Sequence, residues 1–231
     1  MFVELIKGMF GVLPSQCLVC RAWPSEALCE ACVSRFAQPK TRCARCALPV
    51  PSGVICCGAC LKNPPPLDAC LAAVAYEFPW SDLIVDYKFH HWVGRAGAFG
   101  LLLHSTPWVD PALEAAHWVL PMPLSAQRLK TRGFNQALVL AQQIAPHKTN
   151  AQLLLRIKDT PPQSTLNRHE RLNSVKDAFA VNPLLYPKVK GSRLVLVDDV
   201  MTSGASLFSA ARVLRAAGAA HITGLVLART E

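Results

Sequence analysis

Long apolar runs are missing from this 231-residue sequence. No uninterrupted hydrophobic stretch approaches the ~20 residues of a helical membrane span, which excludes a membrane-embedded helix. Charge is also scarce: 17% of residues are Asp, Glu, Lys or Arg, against 52% hydrophobic. That balance excludes wholesale disorder and leaves material for a sizeable core. Neither G-x-G-x-x-G nor G-x-x-x-x-G-K-[ST] occurs, so dinucleotide-binding and P-loop readings lose their glycine fingerprints. Near the N-terminus, Phe2, Leu5, Ile6, Met9, Phe10 and Leu13 are spaced for one face of a short helix, weakened by Gly8 and Gly11. No basic leader or A-x-A cleavage site accompanies them. A helix docked on the protein's own body is therefore expected, rather than a signal peptide or a membrane-surface anchor.

Acidic residues are in the minority, 15 against 24 Lys and Arg, for a net charge of +9. The surplus is concentrated between Ser125 and Lys176, where nine basic residues accompany two acidic ones. Such a concentration suits a polyanionic ligand; a pyrophosphate-bearing sugar and nucleic acid both qualify.

Cysteine, by contrast, is abundant. Of ten, nine precede Leu61: Cys17-x-x-Cys20, Cys29-x-x-Cys32, Cys43-x-x-Cys46, then Cys56, Cys57 and Cys60. A C-x-x-C turn aims two thiolates at one tetrahedral metal, and two turns complete a four-cysteine zinc site. A disulfide framework would need an oxidising compartment, and tandem pairs do not suit a thioredoxin-like redox site. Two structural Zn2+ ions are expected. Sequential pairing puts Cys17, Cys20, Cys29 and Cys32 on one ion and Cys43, Cys46, Cys57 and Cys60 on the other. An interleaved arrangement would instead join the first and third pairs; the sequential one is preferred because each half closes a short loop. Cys56 is a spare thiol or an alternative to Cys57, and Cys70 reads as a buried small hydrophobe.

The chain divides by composition. Residues 1–62 form a double zinc-ribbon module that needs metal to fold. Residues 63–70 are a linker opened by Asn63-Pro64-Pro65-Pro66, and residues 71–231 alternate apolar strands with amphipathic helices. That alternation marks an α/β fold, a parallel sheet flanked by helices. Strands are expected at Leu71–Tyr76, Trp118–Pro123, Leu153–Ile157, Leu194–Asp198 and His221–Leu227. Helices are expected over much of Ser81–Leu103, at Gln136–Ile144 and at Leu207–Ala217. Basic and polar loops follow Pro123 and Ile157.

One run combines a buried strand, an acid pair and a hydroxyl-rich turn before a helix: Arg193-Leu194-Val195-Leu196-Val197-Asp198-Asp199-Val200-Met201-Thr202-Ser203-Gly204-Ala205-Ser206. Free N–H groups and the positive end of the macrodipole make a helix N-terminus an anion site, and glycine lets a phosphate approach the backbone. Asp198 and Asp199 can accept hydrogen bonds from sugar hydroxyls or hold hydrated Mg2+. A polar strand end with a good cap is the plainer reading of an acid pair alone. The full run resembles the phosphoribosyl-pyrophosphate (PRPP) signature of type I phosphoribosyltransferases. That resemblance implies that Asp198 and Asp199 contact the ribose at the catalytic centre, and that Thr202, Ser203, Gly204, Ala205 and Ser206 hold the 5′-phosphate.

With the cysteine module and the signature placed, the whole chain resembles the ComF family of competence-associated phosphoribosyltransferase-like proteins. Three further stretches carry the likeness: Pro121-Met122-Pro123 with Arg132-Gly133-Phe134-Asn135-Gln136; Gln163-Ser164-Thr165-Leu166 with Arg168, Arg171 and Asn173; and Tyr87-Lys88-Phe89. The family layout implies a pyrophosphate-binding loop after Pro123 using Arg128, Lys130, Arg132 and Gly133. It also implies a flexible lid carrying Gln163, Arg168 and Arg171, and a hood over Ser81–Leu103 from which Lys88 reaches the ligand. PRPP with Mg2+, a cytoplasmic role in DNA uptake, and single-stranded DNA with its uptake and recombination machinery as partners are the implied function. Transfer of ribose 5-phosphate to an unidentified acceptor in nucleotide metabolism is the alternative.

Overall fold

The structure, a computed structural model, describes residues 15–89, 93–158 and 177–231. The N-terminal apolar stretch, His90 and His91, and the lid residues Gln163, Arg168 and Arg171 lie outside the described residues. The chain forms two compact units, Met1–Gln38 and Pro39–Glu231.

In the first unit, an antiparallel bridge between Ser15 and Ser25 brackets the Cys17 turn. Helix α1, Glu30–Phe36, follows with Cys29 as its N-cap and Cys32 buried. The second unit opens on the same plan. An Arg42–Pro49 bridge brackets the Cys43 turn, and α2, Gly58–Lys62, is capped by Cys57 with Cys60 buried. Cys43, Cys46 and Cys60 belong to the same hydrophobic core as the sheet residues Cys70, Leu196 and Met201. A boundary drawn at residue 62 on composition thus differs from the division by packing, which falls after Gln38. The Pro-rich stretch likewise ends inside the core, with Leu67 fully buried.

The main sheet is parallel, in the order β1-β6-β5-β2, with β1 at Ala69–Ala75, β2 at Trp118–Pro121, β5 at Arg193–Met201 and β6 at His221–Arg229. Near-continuous apolar runs such as Leu194–Val197 suit strands covered on both faces. Between β1 and β2 run α3 (Trp80–Phe89), α4 (Ala96–His104) and α5 (Val109–Ala115). Helices α6 (Ala126–Arg132) and α7 (Gln136–Ile144) follow β2, and α8 (Ala205–Ala216) joins β5 to β6. The strand expected near Leu153 is β3, Leu154–Arg156. It pairs antiparallel with β4, Phe179–Val181, in a separate two-stranded ribbon rather than entering the main sheet.

The loop expected directly after Pro123 is in part a helix. Ser125 caps α6 by accepting the Arg128 N–H at 3.3 Å, and Gly133 stops it with φ +76°. These start and stop signals were present in the sequence, beneath a basic composition that read as loop. No helix among the described residues is long and apolar enough to cross a membrane.

Candidate functional site

The acid pair owes its position to unequal strand lengths. β2 ends at Pro121, paired with Val197, while β5 runs on through Asp198 and Asp199 to Met201 beside β6. Both carboxylates therefore stand where the sheet has lost its edge neighbour, at the carboxyl ends of the strands. Open α/β sheets bind ligands in crevices of this kind. Here the crevice is a cleft of about 760 Å3 lined by both aspartates.

The turn after β5 supplies the next wall. Gly204 has φ +78°, and a Cβ there would lie 2.5 Å from Met201 Cε and 2.7 Å from the Phe208 ring, so only glycine fits. No side chain caps α8 and its first turn holds no acidic residue. Thr202, Gly204, Ala205 and Ser206 line the cleft, and Ser203 braces the turn by accepting the Ala205 N–H at 3.4 Å. The N-terminus of this twelve-residue helix borders the cleft, a position that can receive an anion.

Helix α6 faces the acid pair across the cleft. Arg128 and Arg132, one turn apart, both line it. The Arg132 guanidinium donates to Gln136 Oε1 at 3.1 Å and lies 5.5 Å from the centre of the Phe89 ring. Lys130, between the two arginines in sequence, is exposed and is not among the residues that line the cleft. Gly133 also stays off the wall, its positive φ spent on ending the helix. Asn135 ties the motif together by accepting the Leu138 N–H at 3.2 Å and donating to the Met122 carbonyl at 3.1 Å. Phe134 packs edge-on against Tyr87 at 5.4 Å, and the Tyr87 hydroxyl donates to the Gln136 carbonyl at 3.1 Å. The Arg-Gly-Phe-Asn-Gln element thus docks the arginine helix onto α3.

From α3, Lys88 enters the cleft and places Nζ 2.9 Å from Asp199 Oδ1, with both side chains largely buried. Burial, and then the Asp199 charge, push the Asp198 carboxyl up to about 7, with Lys88 pulling the other way. Burial also raises the Tyr87 hydroxyl above its usual range. Arg156 of β3 lines the cleft as well, 5.4 Å from the centre of the Phe179 ring. No local pattern marked Arg156, since its approach depends on pairing with a strand over twenty residues away.

The eight paired cysteines gather into two groups: Cys17, Cys20, Cys29 and Cys32, and Cys43, Cys46, Cys57 and Cys60. Within each, all sulfurs lie within 4.8 Å of one another. Tetrahedral zinc with Zn–S of about 2.3 Å requires sulfurs about 3.8 Å apart. The Cys20–Cys29 and Cys46–Cys57 separations are 3.6 and 3.7 Å. Both groups therefore fit zinc. Burial pushes the Cys43 thiol up, but N–H donors from Cys57, Arg45 and Cys46 outweigh it and bring the thiol down to about 6. The Cys17 thiol is lowered to about 6 by the same kind of donors, the Cys29 N–H first, against burial. Cys56 belongs to neither group, and Cys70 is buried beside Met201, sulfur to sulfur 3.7 Å.

Residues 130–230 match the family model described as phosphoribosyl transferase domain. The chain is 30% identical over 227 residues to the DNA utilization protein YhgH of Salmonella typhimurium, covering 94% of this chain and 98% of that one. Competence protein F of Haemophilus influenzae is 31% identical over 234 residues, covering 96% and 100%. Competence protein ComFC of Bacillus subtilis is 36% identical over 116 residues, covering 49% and 45%.

Proposed function

Because the chain belongs to the ComF family and carries a phosphoribosyltransferase domain, we propose that it binds PRPP with Mg2+ and acts in DNA uptake and single-stranded DNA handling. One observation carries the ligand half of this reading: the acid pair, the hydroxyl turn and two arginines line a single cleft. In it, Asp198 and Asp199 take the ribose hydroxyls and the hydrated Mg2+. Residues 202–206 hold the 5′-phosphate, and Arg128 and Arg132 hold the diphosphate. Gln163, Arg168 and Arg171 close over the ligand and exclude water. Zinc in the two cysteine groups supplies folding energy by cross-linking the short turns that carry the thiolates. Calorimetry with PRPP and Mg2+ tests the site: Asp198→Asn with Asp199→Asn abolishes binding, and unchanged affinity in that double variant overturns the assignment.

The DNA half is supported by the names of the relatives, which speak of DNA utilization and competence, and by the basic surplus between Ser125 and Lys176. On this reading the protein is cytoplasmic and meets single strands as they enter. Its binding to an oligonucleotide falls steeply with salt and is lost on zinc removal. Binding that is indifferent to both overturns this half.

A second reading, transfer of ribose 5-phosphate to an acceptor, is favoured by the cleft's apolar wall. Tyr76, Val85 and Phe89 stand on the same cleft as the acid pair, where a flat acceptor can stack. Departure of pyrophosphate would leave an oxocarbenium-like ribose stabilised by carboxylates in a dry site. Pyrophosphate release on addition of one of a panel of bases supports this reading, and its absence across the panel removes it.

A further inference from the structure

Arg229 ties together two distant parts of the second unit: it is a buried guanidinium at the end of β6 whose donors reach both. Its Nε donates to the carbonyl of Cys46 at 3.0 Å. Its Nη1 donates to the carbonyl of Met201 at 3.1 Å, and also to those of Thr202 and Thr230. Cys46 belongs to the second tetracysteine group, and Thr202 opens the turn that leads into α8. Thr230 adds a backbone bond to the Met201 carbonyl at 3.1 Å. One side chain therefore holds both the cysteine knuckle and the base of the phosphate turn.

The charge balance points the same way. Among the described residues no carboxylate forms an ion pair with Arg229, so carbonyl dipoles are its direct partners. A buried cation needs more than dipoles. A divalent ion held by four thiolates leaves a dianionic centre, and such a centre at Cys43, Cys46, Cys57 and Cys60 would supply the missing countercharge. Arg42 and Arg45 also flank this group, donating to the Ala47 and Leu67 carbonyls at 3.0 and 2.6 Å.

We propose that Arg229 is a positioning residue that couples metal occupancy of the second cysteine group to the affinity of the 202–206 turn for a phosphate-bearing ligand. Metal in the second group holds the Cys46 knuckle and compensates Arg229, and Arg229 in turn holds the Met201 and Thr202 carbonyls and so the amides beyond them. By linkage the effect is reciprocal: ligand on the turn tightens the metal. The ligand arm of the experiment rests on the PRPP reading above; the exchange arm does not.

The experiment uses the full-length chain with Cys20→Ser and Cys29→Ser, which leaves the second group as the site for zinc. Zinc loss to a chelator at equilibrium is measured with and without PRPP and Mg2+. The same is done with Arg229→Gln, and with Arg229→Lys, which keeps the charge but loses the fork. The expected result is at least tenfold protection of zinc by PRPP with Arg229 present, and none in either variant at an unchanged zinc stoichiometry. Protection that persists in both variants, or none with Arg229 present although PRPP binds, overturns the coupling. A variant that fails to hold zinc is replaced by amide exchange of residues 203–206 in the chain with Arg229 intact. Zinc removal then speeds exchange at least tenfold, and unchanged exchange overturns the coupling. The exchange arm also decides the matter if PRPP does not bind at all, an outcome that overturns the PRPP reading alone.

Discussion

Lys88 Nζ stands 2.9 Å from Asp199 Oδ1, in a cleft where the two side chains are 14% and 9% exposed. The pair joins the helix after β1 to the acid pair of β5, more than a hundred residues later. Without Lys88, two adjacent carboxylates would share a partly dry site with no ion pair among the described residues. Removing one partner of a largely buried pair typically costs about 3–5 kcal/mol. Lys88→Met is expected to lower the melting temperature, and adding Asp199→Asn to recover much of the loss. Melting by circular dichroism of both single variants and the double checks this, and additive losses would count against the pairing.

The raised Asp198 carboxyl makes two pH-dependent properties run in opposite directions. Its folded pKa of about 7 lies well above the ordinary carboxylate value. Between those values the folded state binds more protons than the unfolded one. Asp198 therefore contributes stability that is fully present below about pH 4 and is lost as the pH rises through about 7. Ligand binding needs the ionised carboxylate, so PRPP affinity should rise over the window in which this contribution disappears. Titrations from pH 5.5 to 8.5 are expected to show the rise, and Asp198→Asn to flatten the part that the ligand's own phosphate does not explain.

Gly204 is the residue least replaceable in the turn. Its φ of +78° is strained for any L side chain by about 1–2 kcal/mol, and its Cβ position collides with Met201 and Phe208. Gly204→Ala is expected to destabilise the chain by about 2 kcal/mol or more and to weaken PRPP binding at least tenfold. Trimming Met201 to Ala in addition relieves one contact and leaves the backbone strain, so recovery should be incomplete. Denaturant unfolding with calorimetry separates the two effects.

Zinc stoichiometry distinguishes the neighbouring thiols Cys56 and Cys57. Cys57 is one of the four sulfurs of the second group and Cys56 is not. Cys56→Ser should retain two zinc equivalents by elemental analysis and Cys57→Ser one. Because the second group shares a core with β1 and β5, Cys57→Ser should also lower the main unfolding transition. Loss of the first group should leave that transition largely in place.

Local spacing was enough for much of this molecule. Helix α7 begins and ends where its periodicity does, Gln136–Ile144, and the strand bearing Asp198 and Asp199 is announced by its aliphatic run and the glycine turn behind it. C-x-x-C spacing likewise anticipates two thiolate quartets, because each pair is a single turn of chain. Helix α6 was legible from Ser125 and Gly133 but was masked by its charge, and with it went the difference between Arg132 inside the cleft and Lys130 outside it. Other features had no local trace. Lys88 on Asp199, Arg156 in the cleft wall, the second cysteine group inside the sheet's core and Arg229 on the Cys46 carbonyl all join segments distant in sequence. Nearest-neighbour periodicity records which face of an element seeks a core. Only the closed sheet, by bringing the ends of β1, β5 and β6 to one place, decides which buried charges meet there and must answer one another.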